Sequence, residues 1–178
     1  MTSPEPSGAI VLVGPMGSGK TSIGKKLAKQ LGLGFTDTDS LVVRAHGPIA
    51  ALFTAHGEAH FRRLEREAVV EAIANGGVIS LGGGAVLDAD TRRDLADHRV
   101  VLLTVAPKVV AHRLGEGAKR PLLAQSDETP MQHWQRIYDE RRPLYEGVAD
   151  IIFDTSSGPL HRVVTAIAEW VQNPGGSA

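Results

Sequence analysis

Eight consecutive residues, Gly14-Pro-Met-Gly-Ser-Gly-Lys-Thr21, carry the densest chemistry in the chain. They fit the spacing G-x-x-x-x-G-K-[ST], in which glycines let the backbone curl until successive N–H groups point at phosphate oxygens. Lys20 then brings a point charge to the β and γ phosphates, and Thr21 offers its hydroxyl to magnesium. A helix starting at Gly19 to Lys20 would aim its positive end at the same anion. The spacing implies a bound nucleoside triphosphate.

Asp37-Thr-Asp39 is the next signal. Ligands gather at the carboxyl ends of strands in open α/β sheets, so both carboxylates are expected to face the phosphate loop. One carboxylate suits a place near magnesium and the other a place near a hydroxyl that loses its proton during phosphoryl transfer. The same acidic step also suits a turn or a helix cap. Gly82-Gly-Gly84 follows a third apolar run, where missing Cβ atoms would let a ligand reach the main chain. Guanidinium forks fit carboxylates and phosphates. Arg62 has Glu65 three residues on, on the same helical face, where it would hold the guanidinium in one rotamer. Arg141 lies one turn before Tyr145, and Arg120 stands beside Pro121. His56-Gly-Glu-Ala-His60 superficially resembles a zinc-protease helix, but Gly57 occupies the position the glutamate needs, so no metal is assigned there. Trp134, Ile137, Tyr138 and Leu144 are read as packing.

Positioning these groups requires a sheet. Apolar runs at Ala9–Val13, Gly34–Phe35, Val78–Leu81, Val100–Val105 and Asp150–Phe153 read as buried parallel strands. Helical patterns alternate with them: Lys20–Leu31, Leu41–Phe53 broken at Gly47-Pro48, Glu58–Ala74, Asp88–Ala96, Pro107–Leu114, Pro130–Tyr145 and Pro159–Val171. This alternation predicts an α/β sheet with helices on both faces. Pro107, Pro130 and Pro159 are placed at first helical positions, and Pro143 is expected to end or kink its helix. Residues 40–65 form a helical insert suited to a substrate platform. Residues 115–128 are expected to be a mobile lid, and 1–8 and 173–178 disordered tails.

A length of 178 residues suits one domain, placed at 9–171. A net charge of -1 with dispersed arginines gives no footprint for nucleic acid or an anionic membrane. The absence of cysteine excludes disulfides, thiolate nucleophiles and Cys-ligated metals. No apolar stretch approaches the roughly 20 residues of a membrane span, so a cytoplasmic monomer acting on a small anionic metabolite is expected.

Taken in order, Gly14–Thr21, Asp37-Thr-Asp39, Gly57-Glu58 with Phe61-Arg-Arg-Leu-Glu65, Leu81–Ala85, Arg120-Pro-Leu-Leu123 and Arg141-Arg-Pro-Leu-Tyr145 resemble the shikimate kinases. The resemblance covers about residues 9–171. It implies a three-layer P-loop NTPase fold with a five-stranded parallel sheet in the order 2-3-1-4-5, a helical substrate-binding segment and a lid. It further implies that Gly17, Ser18, Gly19, Lys20, Thr21 and Ser22 bind the phosphates of ATP, with Mg2+ on Thr21 and near Asp37. Asp39 would bind the shikimate hydroxyls and accept the proton. Arg62 and Arg141 would take the substrate carboxylate beside Gly82, Gly83 and Gly84, and Glu65 would orient Arg62. Arg120 would neutralise the transferring phosphoryl group, and Arg113 would lie near adenine. Ser156-Ser-Gly158 departs from the basic residue many family members carry after the last strand, so main-chain contacts to adenine are expected there. A gluconate kinase and a catalytically silent nucleotide-binding module are the competing readings. The Asp-Thr-Asp step, the triple glycine and the Arg-Pro-Leu-Leu segment weigh against the first, and intact Lys20, Asp39 and Arg120 against the second.

Overall fold

The computed structural model describes residues 8–115 and 128–173. Arg120 and the expected lid, apart from its two end residues, lie outside the described residues. So do the expected tails, except Gly8 and Asn173.

In chain order the elements are β1 (Ile10–Val13), α1 (Lys20–Leu31), β2 (Phe35–Asp37), α2 (Thr38–His46), α3 (Ile49–His56), α4 (Glu58–Asn75), β3 (Val78–Ser80), a 3-10 turn (Ala85–Leu87), α5 (Ala89–Asp94), a second 3-10 turn (Leu95–Asp97), β4 (Arg99–Thr104), α6 (Pro107–Gly115), α7 (Pro130–Val148), β5 (Ile151–Asp154) and α8 (Leu160–Gln172). The strands form one parallel sheet in the order β2-β3-β1-β4-β5, as expected. Ile10 pairs with Val78 on one side of β1 and with Arg99 on the other.

Side chains alternate across a strand, so β1 feeds two cores at once. Ile10 and Leu12 point to one face, against Ile23 and Leu27 of α1 and Val164 and Ile167 of α8. Ala9, Val11 and Val13 point to the other, against Val69 and Ala72 of α4 and Tyr145 of α7. Both faces are covered, and the crevice at the strand carboxyl ends is where the chain can receive a ligand.

Four expectations need correction. β2 is only half-buried, and Ile152 of β5 is 54% exposed. Both are edge strands with a neighbour on one side only. The Asp88–Ala96 helix is shorter, because Asp88 caps it by accepting from Thr91 N at 2.8 Å and the chain tightens to a 3-10 turn from Leu95, which is buried. Pro159 is the N-cap of α8, with ψ at 137°, so the first helical residue is Leu160. Pro143 does not end α7, which runs on to Val148. The missing N–H removes one ladder bond near the C-terminus, while burial of Trp134 and Tyr145 holds the rest of the helix against the core. At its other end α7 has a reciprocal cap: Gln132 N donates to Thr129 Oγ1 at 3.2 Å, and Thr129 N donates to Gln132 Oε1 at 2.9 Å.

Among the described residues no helix is long and apolar enough to cross a membrane.

Candidate active site

A cleft of ≈ 710 Å³ opens at the carboxyl ends of β1, β2 and β3. Its nucleotide end is the loop between β1 and α1. Gly14 has φ of +146°, and a Cβ there would lie 2.3 Å from Leu103 O, so no other residue fits. Lys20 Nζ donates to Gly14 O at 2.8 Å and to Pro15 O at 3.0 Å, folding its charge over the loop.

Three successive loop carbonyls are held from three directions. Trp134 Nε1 of α7 donates to Met16 O at 2.8 Å. Arg113 of α6 donates to Gly17 O, and also to Thr155 O at 3.2 Å. Thr155 Oγ1, just after β5, donates to Ser18 O at 2.8 Å. In a trans peptide the N–H points opposite the carbonyl, so the N–H groups of Gly17 and Gly19 face away from these braces. That arrangement prepares the loop to cradle an anion.

Several expected nucleotide residues stand differently from one another. Gly17, Gly19, Lys20, Thr21 and Ser22 line the cleft, whereas Ser18 is fully buried. Its Oγ has no partner among the described residues. Ser18 does not line the cleft, and its main chain is engaged within the protein: its N–H donates to Pro15 O at 3.3 Å and its carbonyl accepts from Thr155. Arg113 also lines the cleft, but its guanidinium already braces the loop from behind. Ser156 Oγ accepts from Ala106 N at 2.7 Å, which ties β5 to the segment after β4.

The two carboxylates after β2 separate as an N-cap geometry dictates. Asp37 Oδ1 accepts from Ser40 N at 2.9 Å and caps α2, while Oδ2 accepts from Thr21 Oγ1 at 2.8 Å. The same side chain thus caps α2 and lines the cleft. Asp39, in the first turn of α2, points instead at the glycine segment, with Oδ1 2.5 Å from the point a Cβ on Gly82 would occupy.

That segment is shaped as much by protein side chains as by any ligand. Glu65 Oε1 lies 3.0 Å from the same Gly82 point, so the two carboxylates converge there. A Cβ on Gly84 would lie only 2.2 Å from Arg62 Nη1. Gly82 N donates to Thr38 Oγ1 at 2.9 Å and is already satisfied. Of the three glycines, Gly83 and Gly84 line the cleft and Gly82 does not.

Arg62 donates to Glu65 Oε2 at 2.7 Å, as the spacing of three predicts, and Glu58, four residues before, accepts from it at 3.2 Å. Burial alone would lower the guanidinium pKa, but the two glutamates outweigh it and raise it. Glu65, 4% exposed, has its carboxyl pushed up by burial and secondarily by Asp39, against the opposing charges of Arg62 and Arg141. Arg141 enters from α7, with Nη1 3.6 Å from the point a Cβ on Gly83 would occupy. Two guanidiniums and two carboxylates thus gather around three glycines.

Sequence reasoning missed Thr155, the reach of Trp134 and the contact of Glu58, quoted only within a motif, with Arg62. Reading Trp134 and Tyr138 as packing is incomplete, because both also line the cleft. A buried indole N–H seeks an acceptor, which is the signal that was there to use. Ile49, Phe53 and Phe61 also line the cleft, and of these only Phe61 belongs to a quoted motif.

A family model for shikimate kinase matches residues 16–172. The chain is 47% identical to the shikimate kinase of Streptomyces coelicolor, over 92% of its own length and 95% of that protein's. It is 50% identical to the shikimate kinase of Salinispora arenicola, over 89% and 94%. Its fold superposes on that of the shikimate kinase from Acinetobacter baumannii solved in complex with shikimate, with a TM-score of 0.87, 32% identity and 96% of each chain covered. A gluconokinase from Sinorhizobium meliloti superposes with a TM-score of 0.60 at 18% identity, a likeness of fold alone.

Proposed function

The chain belongs to the shikimate kinase family, and on that premise we propose that this cleft passes the γ-phosphoryl group of ATP to the 3-hydroxyl of shikimate. The products are shikimate 3-phosphate and ADP, and the protein is a phosphotransferase of aromatic amino-acid biosynthesis. One observation carries the assignment of the site: Asp39, Arg62, Gly83 and Arg141 meet in the cleft that also holds the phosphate loop. A gluconate kinase reading has only the shared fold behind it.

In this reading, Arg62 and Arg141 take the substrate carboxylate, and Asp39 orients the attacking hydroxyl and receives its proton. The hydroxyl oxygen bonds to the γ-phosphorus as the bridging oxygen leaves with ADP. Lys20 and the main chain of Gly17, Gly19 and Thr21 hold the phosphates, and preorganised charge lowers the barrier. Arg120, outside the described residues, is assigned to the transferring group by resemblance alone. The hard oxygens of Thr21 and Asp37, already 2.8 Å apart, fit Mg2+, which typically takes one or two protein oxygens besides phosphates and water. Bound there, the ion would neutralise phosphate charge. A cytoplasmic monomer without nucleic-acid or membrane partners belongs to the same proposal.

The test is ATP turnover with shikimate, gluconate and AMP side by side. Shikimate alone should accelerate it. Equal turnover with and without shikimate would sink the assignment. Arg120→Ala should lower kcat far more than it raises the shikimate KM, because its charge matters most as the phosphoryl group moves; a change in KM alone would remove it from that role.

A further inference from the structure

We propose that Tyr145 is a positioning residue for substrate binding, a neutral hydroxyl that fixes Arg141 and the Gly83 peptide relative to each other. The inference rests on the reading of Arg141 as a ligand of the substrate carboxylate. Tyr145 is 1% exposed, and its Oη donates to Gly83 O at 2.5 Å. The Arg141 guanidinium faces the same oxygen, and its charge opposes the effect of burial there. Both Tyr145 Oη and Arg141 Nη1 stand 3.6 Å from the open point where Gly83 lacks a Cβ. Guanidinium, phenol oxygen, phenol O–H and peptide carbonyl thus stand as one chain around Gly83.

The chain has a direction that only a protonated phenol allows. Burial pushes the Tyr145 pKa up, against the opposing charge of Arg141, so the hydroxyl keeps its proton and donates it to the carbonyl. Its lone pairs remain for the guanidinium. A trans peptide with a fixed carbonyl also has a fixed N–H, here that of Gly84, which lines the cleft.

The two arginines are therefore held in different ways. Arg62 is bonded to two carboxylates, Glu58 and Glu65, which compensate its charge before any substrate arrives. Arg141 is oriented by an uncharged group. Glu65 attracts it through space, whereas the phenol beside it takes nothing from its charge. An anionic ligand gains most from a donor that is fixed in place yet electrostatically unspent. Tyr145 supplies the fixing without the spending.

The spacing on α7 explains why this tyrosine can act. Trp134, Tyr138, Arg141 and Tyr145 follow the i, i+4, i+7, i+11 pattern of one helical face. Their rings continue along it, with centroids 5.3 Å apart from Trp134 to Tyr138 and 6.5 Å from Tyr138 to Tyr145. Arg141 emerges from this stiff aromatic ridge, one turn before the tyrosine that holds its tip.

Tyr145→Phe isolates the hydroxyl, because the ring and its packing remain. The expected result is a shikimate KM raised about tenfold, with kcat and the ATP KM within about twofold of wild type. The control ligand is a shikimate analogue with a carboxamide in place of the carboxylate, measured by inhibition. Wild type should bind it more weakly than shikimate, and Tyr145→Phe should bind it about as well as wild type does, since the hydroxyl acts through the arginine that reads the carboxylate. In an Arg141→Ala background the further change Tyr145→Phe should have little effect on the shikimate KM. An unchanged shikimate KM in Tyr145→Phe, or an equal loss toward ATP, shikimate and the carboxamide, would overturn the inference. Equal binding of carboxamide and shikimate by wild type would instead overturn the reading of the arginines.

Discussion

Asp39 and Glu65 converge on one glycine, Gly82. In the proposed reading, Asp39→Asn keeps the shape and removes the charge that would orient the hydroxyl and accept its proton. Turnover should fall by about 10² to 10⁴, with nucleotide binding nearly intact. A collapse of ATP affinity with turnover preserved at saturation would give Asp39 to the nucleotide instead. Glu65 is pushed up by burial, so between its unfolded pKa, about 4.3, and its higher folded value the native state holds more protons than the unfolded one. Its contribution to stability is then complete at low pH and lost as pH rises through the folded pKa. Compared with Glu65→Gln, the wild type should gain in Tm as pH is lowered from about 7 to about 5. A shift in the opposite direction would mean that Arg62 wins over burial and holds the carboxyl below its ordinary value.

At the scale of elements, α7 is the member that reaches both ends of the cleft. Its N-terminal half braces the phosphate loop through Trp134, and its C-terminal half carries Arg141. Trp134→Phe preserves an aromatic ring while leaving Met16 O without its donor. Losing a hydrogen bond of this kind costs about 1–3 kcal/mol, so the ATP KM should rise by at least about fivefold while the shikimate KM at saturating ATP stays within about twofold. Loss of both affinities together, with a lower Tm, would mean that the indole only packs. On the same face of the sheet, α4 is pinned to α5 by Arg66, which meets Asp94 at 2.5 Å and Thr91 Oγ1 at 3.2 Å. The ion pair is partly exposed, with the two side chains 24% and 41% accessible, and solvent screening keeps its worth to about 1 kcal/mol or less. Arg66→Ala should therefore lower Tm by no more than a few degrees, and by less in high salt. A fall of more than about 10 °C would make that contact the main support of the helix that carries Arg62.

For the whole molecule, the sheet gives each core its own helices and opens one cleft at the carboxyl ends of its strands. Ligands that bind only the folded state stabilise it by mass action, about 2.7 kcal/mol at a hundredfold excess over Kd. For a chain of this size that is a rise in Tm on the order of 5–10 °C, read by thermal shift. ATP with magnesium and shikimate should each raise Tm in the wild type. In Arg62→Ala the shikimate increment should shrink greatly while the ATP increment persists. Parallel loss of both would show that Arg62 supports the fold and not a ligand.

Local signals sufficed for much of this. Gly14 to Thr21 specifies a phosphate loop because glycine conformation, a lysine and a hydroxyl at fixed spacing leave few other uses. Alternating apolar runs specify a parallel sheet because strands buried on both faces and amphipathic helices have different periods. The pairing of Arg62 with Glu65 follows from a spacing of three on one helix. The remaining features depend on residues far apart in the chain. Nothing near Thr155 announces that its hydroxyl holds Ser18 O, 137 positions away. Nothing near Gly84 announces that Arg62 fills the space its side chain would need. Sequence periodicity gives the face a residue occupies, but the partner it meets across 44 residues, as Gly82 N meets Thr38 Oγ1, is set by how the elements stack. Propensity likewise marked Pro143 as an end or a kink, and the helix does not end there, because the burial of Trp134 and Tyr145 on either side of it outweighs one missing hydrogen bond.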